Sequence, residues 1–147
     1  MILAIVGAEG AKFTAQGEKD ARQSIIRTIR GYKATLVVSG ACHLGGIDIW
    51  AVEEARKLGV ATLEYAPEAL TWRYYKRRNI QIAQKCTALV NYVVNKLPDD
   101  FTGMRFPLCY HCNSTLHVKA GGCWTMNYAS KLGKPVHRIT VMQGPLL

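Results

Sequence analysis

The sequence alternates short, β-branched apolar runs with longer amphipathic stretches, and this alternation limits the folds that the chain can adopt. Five apolar runs predict strands, at residues 2–6, 36–39, 61–65, 88–94 and 136–141. Four stretches with helical periodicity separate them. Strands that alternate with helices are typical of a parallel sheet with helices packed against it. We therefore expect a doubly wound, three-layer α/β/α protein with about five parallel strands.

Glycines mark the ends of most predicted helices, because a left-handed residue commonly follows a helix. Gly31, Gly59 and Gly133 are expected to end the first, second and fourth helices. The third and fourth helices are predicted at about residues 72–85 and 122–132.

One segment, residues 95–120, shows neither the apolar runs of a strand nor the periodicity of a helix. It contains two prolines, two histidines and a cysteine pair. We interpret it as an irregular insertion between the fourth strand and the last helix. Because 147 residues is about the size of one domain, residues 1–147 are expected to form a single domain. The apolar runs are too short to span a bilayer and no signal peptide is recognisable, so we expect a cytoplasmic protein without membrane contact.

The excess positive charge lies entirely in the second part of the chain. The sequence holds 19 Lys and Arg against 10 Asp and Glu, a formal net charge of +9. Residues 1–68 carry eight basic and eight acidic residues, so the excess follows residue 68. Such an asymmetry predicts an anionic partner, either a phosphate-bearing small molecule or a nucleic acid.

Ligands of doubly wound sheets bind where strands end and helices begin, because helix N-termini present free N–H groups. Bare backbone at glycine approaches phosphate closely, and arginine's planar fork suits phosphate oxygens. The candidate ligand-binding residues are Gly7 and Lys12 after the first strand; Ser39, Gly40, Gly45, Gly46 and Asp48 after the second; Arg77, Arg78 and Asn79 in the third helix; and Gly121, Gly122 and Thr125 at the start of the fourth.

These residues also fit purely structural roles. The glycines of the first loop suit a tight turn, and those before the last helix suit close helix-to-strand packing. Residues 72–79, rich in arginine and aromatics, also fit a solvated helix face. Candidate catalytic groups are Asp48, Glu9 and His43, since carboxylates and imidazole exchange protons.

A cysteine pair in the insertion predicts a possible zinc site. Cys109 and Cys112 have the C-x2-C spacing that lets two thiolates reach one Zn²⁺, with His117 or His111 as a third ligand. Cys123 completes the set if the insertion folds back over the last helix. The sequence has no second C-x2-C pair, so two reduced thiols in a hairpin are the alternative.

The loops contain three ordered motifs. They are Val38-Ser39-Gly40 with Gly46-Ile47-Asp48-x-x-Ala51; Arg78-Asn79 followed by Ala83, in the segment Arg78-Asn79-Ile80-Gln81-Ile82-Ala83; and Gly121-Gly122-x-x-Thr125 with Gly133-Lys134-Pro135-Val136. This set resembles the SMF/DprA-LOG (SLOG) superfamily of Rossmann-like nucleotide-binding proteins, over most of the chain outside residues 95–119. The resemblance implies a Rossmann-like fold, a nucleotide ligand and a homo-oligomer, commonly a homodimer.

The motifs depart from those of the LOG phosphoribohydrolases at the catalytic position. Those enzymes carry a glutamate three residues after the motif threonine, where this chain has Tyr128; Trp124 and Ala120 replace a motif glycine and proline. Three functions stay open. The first, favoured by Tyr128, is a nucleotide-binding or sensor domain without catalysis. The second is a nucleoside 5′-monophosphate N-glycosidase that uses another carboxylate. The third is a single-stranded nucleic-acid-binding module.

Overall fold

The computed structural model describes residues 1–144, so residues 145–147 of the predicted domain lie outside the described part. The strands are β1 (Ile2–Gly7), β2 (Leu36–Ser39), β3 (Ala61–Glu64), β4 (Ala88–Val94) and β5 (Val136–Val141). The helices are α1 (Ala15–Gly31), α2 (Ile47–Lys57), α3 (Trp72–Lys85) and α4 (Gly122–Lys131), and a short 3₁₀ turn covers Gly10–Lys12. The predicted order of strands and helices is confirmed.

All five strands form one parallel sheet in the order β3-β2-β1-β4-β5. The central strand is β1, in which Ala4 lies opposite Val38 of β2 and Leu89 of β4. The chain runs outward from β1 to β3, crosses back, and continues through β4 to β5. The loops after β1 and β4 therefore diverge and leave a crevice at the carboxyl edge of the sheet.

Helices cover both faces of the sheet, with α1 packed on α2 and α3 packed on α4. Successive side chains of a strand point to opposite faces, so β1 contributes to two cores. Leu3 and Ile5 join the core that contains α1 and α2, and Ala4 and Val6 join the core that contains α3 and α4. Burial on both sides explains why the predicted central strands read as continuous apolar runs.

The end of α1 differs from the prediction. Gly59 and Gly133 have φ of +73° and +82° after their helices, as expected. Gly31 is instead the last helical residue, and Lys33 takes the left-handed conformation with φ of +53°. The amide of Ala34 donates to the carbonyl of Ile29, which closes the helix without a glycine at the left-handed position.

The insertion is irregular, as predicted. Residues 95–120, all of which the structure describes, contain no helix or strand beyond one isolated bridge between Cys109 and Ser114. Its far end returns to the sheet, where the Val118 amide donates to the Val94 carbonyl at 2.9 Å. Among residues 1–144, no helix is both long and apolar enough to cross a membrane.

The loops after β1 and β2 lock together at the start of α2. Gly46 precedes this helix with φ of +87° and ψ of −147°, a region that is almost exclusive to glycine. A Cβ there would collide with the Ala8 carbonyl oxygen and lie 2.5 Å from the Gly10 nitrogen. The Ile47 amide donates to the same Ala8 carbonyl at 3.2 Å. Gly46 therefore holds two loops in contact through their backbones.

This arrangement predicts unequal costs for two adjacent glycines. Gly46→Ala should lower the free energy of unfolding by more than about 2 kcal/mol, because backbone strain and a collision with main-chain atoms add. Gly45→Ala should cost only about 1 kcal/mol, since Gly45 has φ of +73° but open space around its Cβ position. Urea denaturation of the two variants measures both values. Equal losses would contradict the close approach of the loops.

Candidate functional site

A cavity of about 450 Å³ opens beside the end of β1, at the crevice between the diverging loops. Its volume falls within the range of small-molecule sites in proteins. The β1 loop and the β2–α2 connection form one side, α3 and the start of α4 form the other, and the insertion adds a further wall. The lining residues are Val6, Gly7, Glu9, Lys12, Cys42, His43, Leu44, Asp48, Trp72, Tyr75, Arg78, Asn79, Ile82, Tyr110, His111, Lys119, Gly121, Gly122 and Thr125.

The structure brings most of the predicted site residues together around this cavity. The predicted ligand-binding residues that line it are Gly7, Lys12, Asp48, Arg78, Asn79, Gly121, Gly122 and Thr125. The catalytic candidates Glu9, His43 and Asp48 line it as well. The predicted residues that do not line it are Ser39, Gly40, Gly45, Gly46 and Arg77.

Ser39 and Arg77, two of the predicted residues outside the cavity, contact other parts of the chain. The buried Ser39 hydroxyl donates to the Ile5 carbonyl at 2.7 Å, which ties β2 to β1. Arg77 does not line the cavity; its side chain is 55% exposed and lies 3.9 Å from the carboxylate of Glu68. An exposed pair of this kind contributes little to stability.

Arg78 and Asp48 form the electrostatic centre of the cavity. Arg78 Nη1 lies 3.8 Å from Asp48 Oδ2 and donates to the Gly40 carbonyl at 3.1 Å. Arg78 Nε donates to Asn79 Oδ1 at 2.7 Å. A side chain at Gly40 would collide with the guanidinium group, so this glycine makes room for Arg78. The arginine is thus fixed by backbone and side-chain acceptors before any ligand arrives.

Asp48 is buried in the first turn of α2, and burial raises its pKa from 3.8 to about 7, although the positive charge of Arg78 acts in the opposite direction. A large fraction of the molecules therefore carry a neutral Asp48 near pH 7. A neutral carboxyl group can donate a hydrogen bond and does not repel an anion. The cavity is consequently more electropositive than it would be with an ionised Asp48.

Lys12 supplies a second cation beside Arg78, and this one is buried. Only 8% of the residue is exposed, and its Nζ donates to the Lys119 carbonyl at 2.7 Å and lies 3.6 Å from Glu9 Oε1. Burial lowers the pKa of Lys12, while the neighbouring carboxylate of Glu9 acts to raise it. The 3₁₀ turn after β1 thus holds this lysine at the cavity wall.

The two glycines at the start of α4, Gly121 and Gly122, differ in what they do. A Cβ on Gly122 would lie 2.5 Å from Asn91 Oδ1 and 2.9 Å from the Gly7 nitrogen, so close packing accounts for this glycine. Gly121 has no atom within 4 Å of its Cβ position, so packing does not account for it. Thr125, one turn further, is buried and lines the cavity. The open backbone at Gly121 lies at the positive end of the α4 dipole.

Tyr128, at the position of the catalytic glutamate in LOG hydrolases, lies outside the cavity lining. Its ring stacks on Trp124 with centroids 5.4 Å apart and an angle of 13° between the planes. Trp72 packs edge-on against Trp124, also at 5.4 Å. The position thus belongs to an aromatic cluster beside the cavity.

Sequence reasoning missed the wall that the insertion provides. Tyr110, His111 and Lys119 line the cavity, although the irregular sequence around them carries no periodic signal of their orientation. His111 lies in the cavity wall, whereas the group of side chains that could hold a metal ion contains His117.

Four side chains near the start of α4 could hold a metal ion. The ligand atoms of Cys109, Cys112, His117 and Cys123 all lie within 4.8 Å of one another. The insertion does fold back over α4, so Cys123 joins the predicted group. None of the five cysteines, which all lie in the described part of the chain, forms a disulfide.

Comparisons with known proteins bear on the fold. No family model and no curated protein sequence matches the chain. One similar solved structure is the molybdenum cofactor carrier protein of Chlamydomonas reinhardtii, with a TM-score of 0.61, 18% identity, and 97% of this chain and 77% of that chain covered. Another is DNA processing protein A from Streptococcus pneumoniae, with a TM-score of 0.58, 17% identity, and 99% of this chain and 51% of that chain covered.

Both neighbours are SLOG-type Rossmann-like domains. The chain shares the Rossmann-like fold of these two structures. At these identities the likeness extends to the fold alone, and the chain spans about half the length of the DNA-processing protein. The predicted resemblance is confirmed at this level.

The buried carboxyl group predicts a specific pH dependence of stability. Because the pKa of Asp48 is about 7 in the folded protein and 3.8 ordinarily, the native state binds more protons than the unfolded state between these values. The stabilisation from neutral Asp48 is therefore complete below pH 4 and is lost as the pH rises through 7.

Asp48→Asn should remove this dependence. The unfolding free energy of the wild type, measured relative to that of the variant, should fall by up to roughly 4 kcal/mol across this window. Urea denaturation of both proteins from pH 4 to about pH 8 provides the difference, in which the other titrating groups cancel. Parallel profiles would show that Asp48 titrates as an ordinary carboxylate.

Proposed function

We propose that this protein binds a nucleotide, or a phosphate ligand derived from one, in the cavity at the end of β1 and does so without catalysis. The observation that carries the proposal is the convergence of two cations, the buried Lys12 and the largely buried Arg78, with the open N-terminus of α4 around one cavity. Each of these features favours an anion, and because they line one cavity they can contact the same anionic group of a ligand.

The phosphate is proposed to lie between the start of α4 and Arg78. There Gly121 and Gly122 offer backbone N–H groups, Thr125 offers a hydroxyl, and the guanidinium group of Arg78 offers the N–H donors that Asn79 and Gly40 do not occupy. No described residue accepts a hydrogen bond from the amides of Gly121 or Gly122. These donors are free for a ligand, as the first amides of a helix usually are.

The remaining walls suit a planar, hydroxyl-bearing group. Trp72, Tyr75 and Tyr110 provide aromatic surface at the cavity, and base-on-aromatic stacking tolerates any base. Asp48 can exchange hydrogen bonds with ribose hydroxyls in either protonation state. These features favour a nucleotide over inorganic phosphate.

The absence of a glutamate at position 128 supports binding without hydrolysis. LOG hydrolases use a glutamate at this position. This chain has Tyr128 there, and the tyrosine ring lies in the aromatic cluster outside the cavity lining. One structural neighbour is a carrier protein for the molybdenum cofactor, and carrying a cofactor requires binding it. That cofactor is therefore a second ligand to test, beside the nucleotides.

Binding should depend on Arg78 and not on positive charge in general. Arg78→Ala should weaken binding of AMP by about 10- to 100-fold, the usual value of a hydrogen bond to a charged group. Arg73→Ala is the matched control, because this substitution removes the same charge from an exposed position on the same helix, outside the cavity. Isothermal titration calorimetry measures both affinities.

Equal losses in the two variants would contradict the cavity site. Together with an affinity for single-stranded DNA that falls steeply with salt, they would favour the nucleic-acid-binding alternative.

An N-glycosidase is the second candidate, favoured by the Asp48 carboxyl group, whose pKa of about 7 suits proton transfer. Incubation of the protein with nucleoside 5′-monophosphates, followed by chromatography, tests it. The binding proposal predicts no release of free base above the uncatalysed rate. Release that Asp48→Asn abolishes would establish the enzyme instead.

A further inference from the structure

The cysteine cluster has the dimensions of a zinc site. The ligand atoms of Cys109, Cys112, His117 and Cys123 lie within 4.8 Å of one another. Ligands of tetrahedral Zn²⁺ lie roughly 3.5 Å apart, because Zn–S bonds are about 2.3 Å and Zn–N bonds about 2.0 Å. A small contraction of the cluster therefore accommodates one ion.

The turn that holds the first two thiols is well ordered by its own backbone. The Cys109 amide donates to the Ser114 carbonyl at 2.8 Å, and the Cys112 amide donates to the Cys109 carbonyl at 3.2 Å. Asn113 takes the left-handed conformation with φ of +53°, which asparagine tolerates better than most residues. The hairpin thus brings both thiols to the cluster without help from a strand or helix.

His117 offers an unpartnered nitrogen to this cluster. The residue is 4% exposed, and its Nδ1 lies 2.8 Å from the Val118 carbonyl, to which it can only donate. The other nitrogen, Nε2, is then an acceptor, and it is buried without a hydrogen-bond partner among the described residues. A buried acceptor without a partner is costly, and a metal ion at Nε2 removes this cost.

Neighbouring donors contact two of the sulfur atoms. Asn91 Nδ2 donates to Cys123 Sγ at 3.3 Å, and Arg138 Nη1 donates to Cys112 Sγ at 3.2 Å. Three thiolates around Zn²⁺ leave one negative charge, which the guanidinium group balances. Outer hydrogen bonds of this kind orient the ligands of a metal site.

We propose that these four side chains bind one structural Zn²⁺ that clamps the insertion onto α4. Three sulfurs and one nitrogen fill the tetrahedral positions, so none is left for a catalytic water. On binding, three thiols release their protons to solvent and the thiolates coordinate the ion. Three ligands come from residues 95–120, and Cys123 comes from the first turn of α4.

The insertion needs such a cross-link because it buries little apolar surface. Four of its large hydrophobic side chains are exposed: Met104 by 74%, Phe106 by 40%, Tyr110 by 57% and Leu116 by 82%. Small units that bury little apolar surface are commonly stabilised by a metal ion or a disulfide. Since the insertion forms one cavity wall, the clamp also maintains the ligand site, a consequence that rests on the proposed function.

The first test is metal analysis of reduced wild-type protein purified without chelators. We expect about one zinc per chain, and a cobalt-substituted protein with the intense visible absorption of tetrahedral cobalt–thiolate coordination. Protein that contains no zinc and takes up neither Zn²⁺ nor Co²⁺ when reduced would overturn the proposal.

Two variants assign the ligands. Cys123→Ser should reduce the zinc content to well below half, and the partly exposed Cys112→Ser should do so with less risk to folding. Cys86→Ser is the matched control, because Cys86 is buried elsewhere and donates to the Ala83 carbonyl; it should retain the zinc. Full zinc in both cluster variants, or loss of zinc in all three proteins, would overturn the assignment.

The clamp itself is tested by limited proteolysis with and without zinc. Chelator-treated wild type should be cleaved within residues 95–120 at least about tenfold faster than the zinc-loaded protein, while the sheet stays protected. Equal cleavage rates would overturn the clamp. AMP affinity measured on the same two samples should fall on zinc removal. If neither sample binds AMP, the proposed function fails while the zinc and proteolysis results stand.

Discussion

The rest of the structure depends on the close approach of backbones at the end of β1. Gly7 lies against the Tyr92 carbonyl and Ile47, Gly46 lies against the β1 loop, and Gly122 lies against Gly7 itself. A side chain at any of these positions would separate the elements. The three glycines therefore hold the starts of α2 and α4 on either side of β1, and the cavity lies above this contact.

That geometry determines the electrostatics of the cavity. Because the α2 and α4 N-termini both reach the crevice, their dipoles favour negative charge there. Asp48 lies in the first turn of α2, where a carboxylate is stabilised, yet burial is the larger effect and raises its pKa to about 7. Arg78, held by Gly40 and Asn79, then retains a positive charge that a neutral Asp48 does not cancel. A largely buried cation whose charge is only partly balanced favours an anionic ligand, which would supply the missing negative charge.

The sheet and the loops were predictable because their signals are local. Strands buried on both faces read as continuous apolar runs, and glycine-rich loops mark the strand ends. Within α3 the helical period also separates the two neighbouring arginines: Arg78 lies one turn before the buried Ile82, whereas Arg77 lies on the exposed side. That distinction was available from the sequence, although the prediction included both residues.

The insertion could not be placed from the sequence, because its position is determined by contacts between distant residues. Nothing local to Lys119 shows that its carbonyl accepts from Lys12, and nothing local to Cys123 shows that it meets Cys109. Ordering a segment without helix or strand costs roughly 1–2 kcal/mol per residue in backbone entropy, which the few buried side chains of the insertion do not offset. The contacts that hold it must therefore be few and strong. The sulfur and imidazole groups of the cysteine cluster are the part of the described chain best suited to provide them, and one of these groups, Cys123, lies on the helical turn of α4 that lines the cavity.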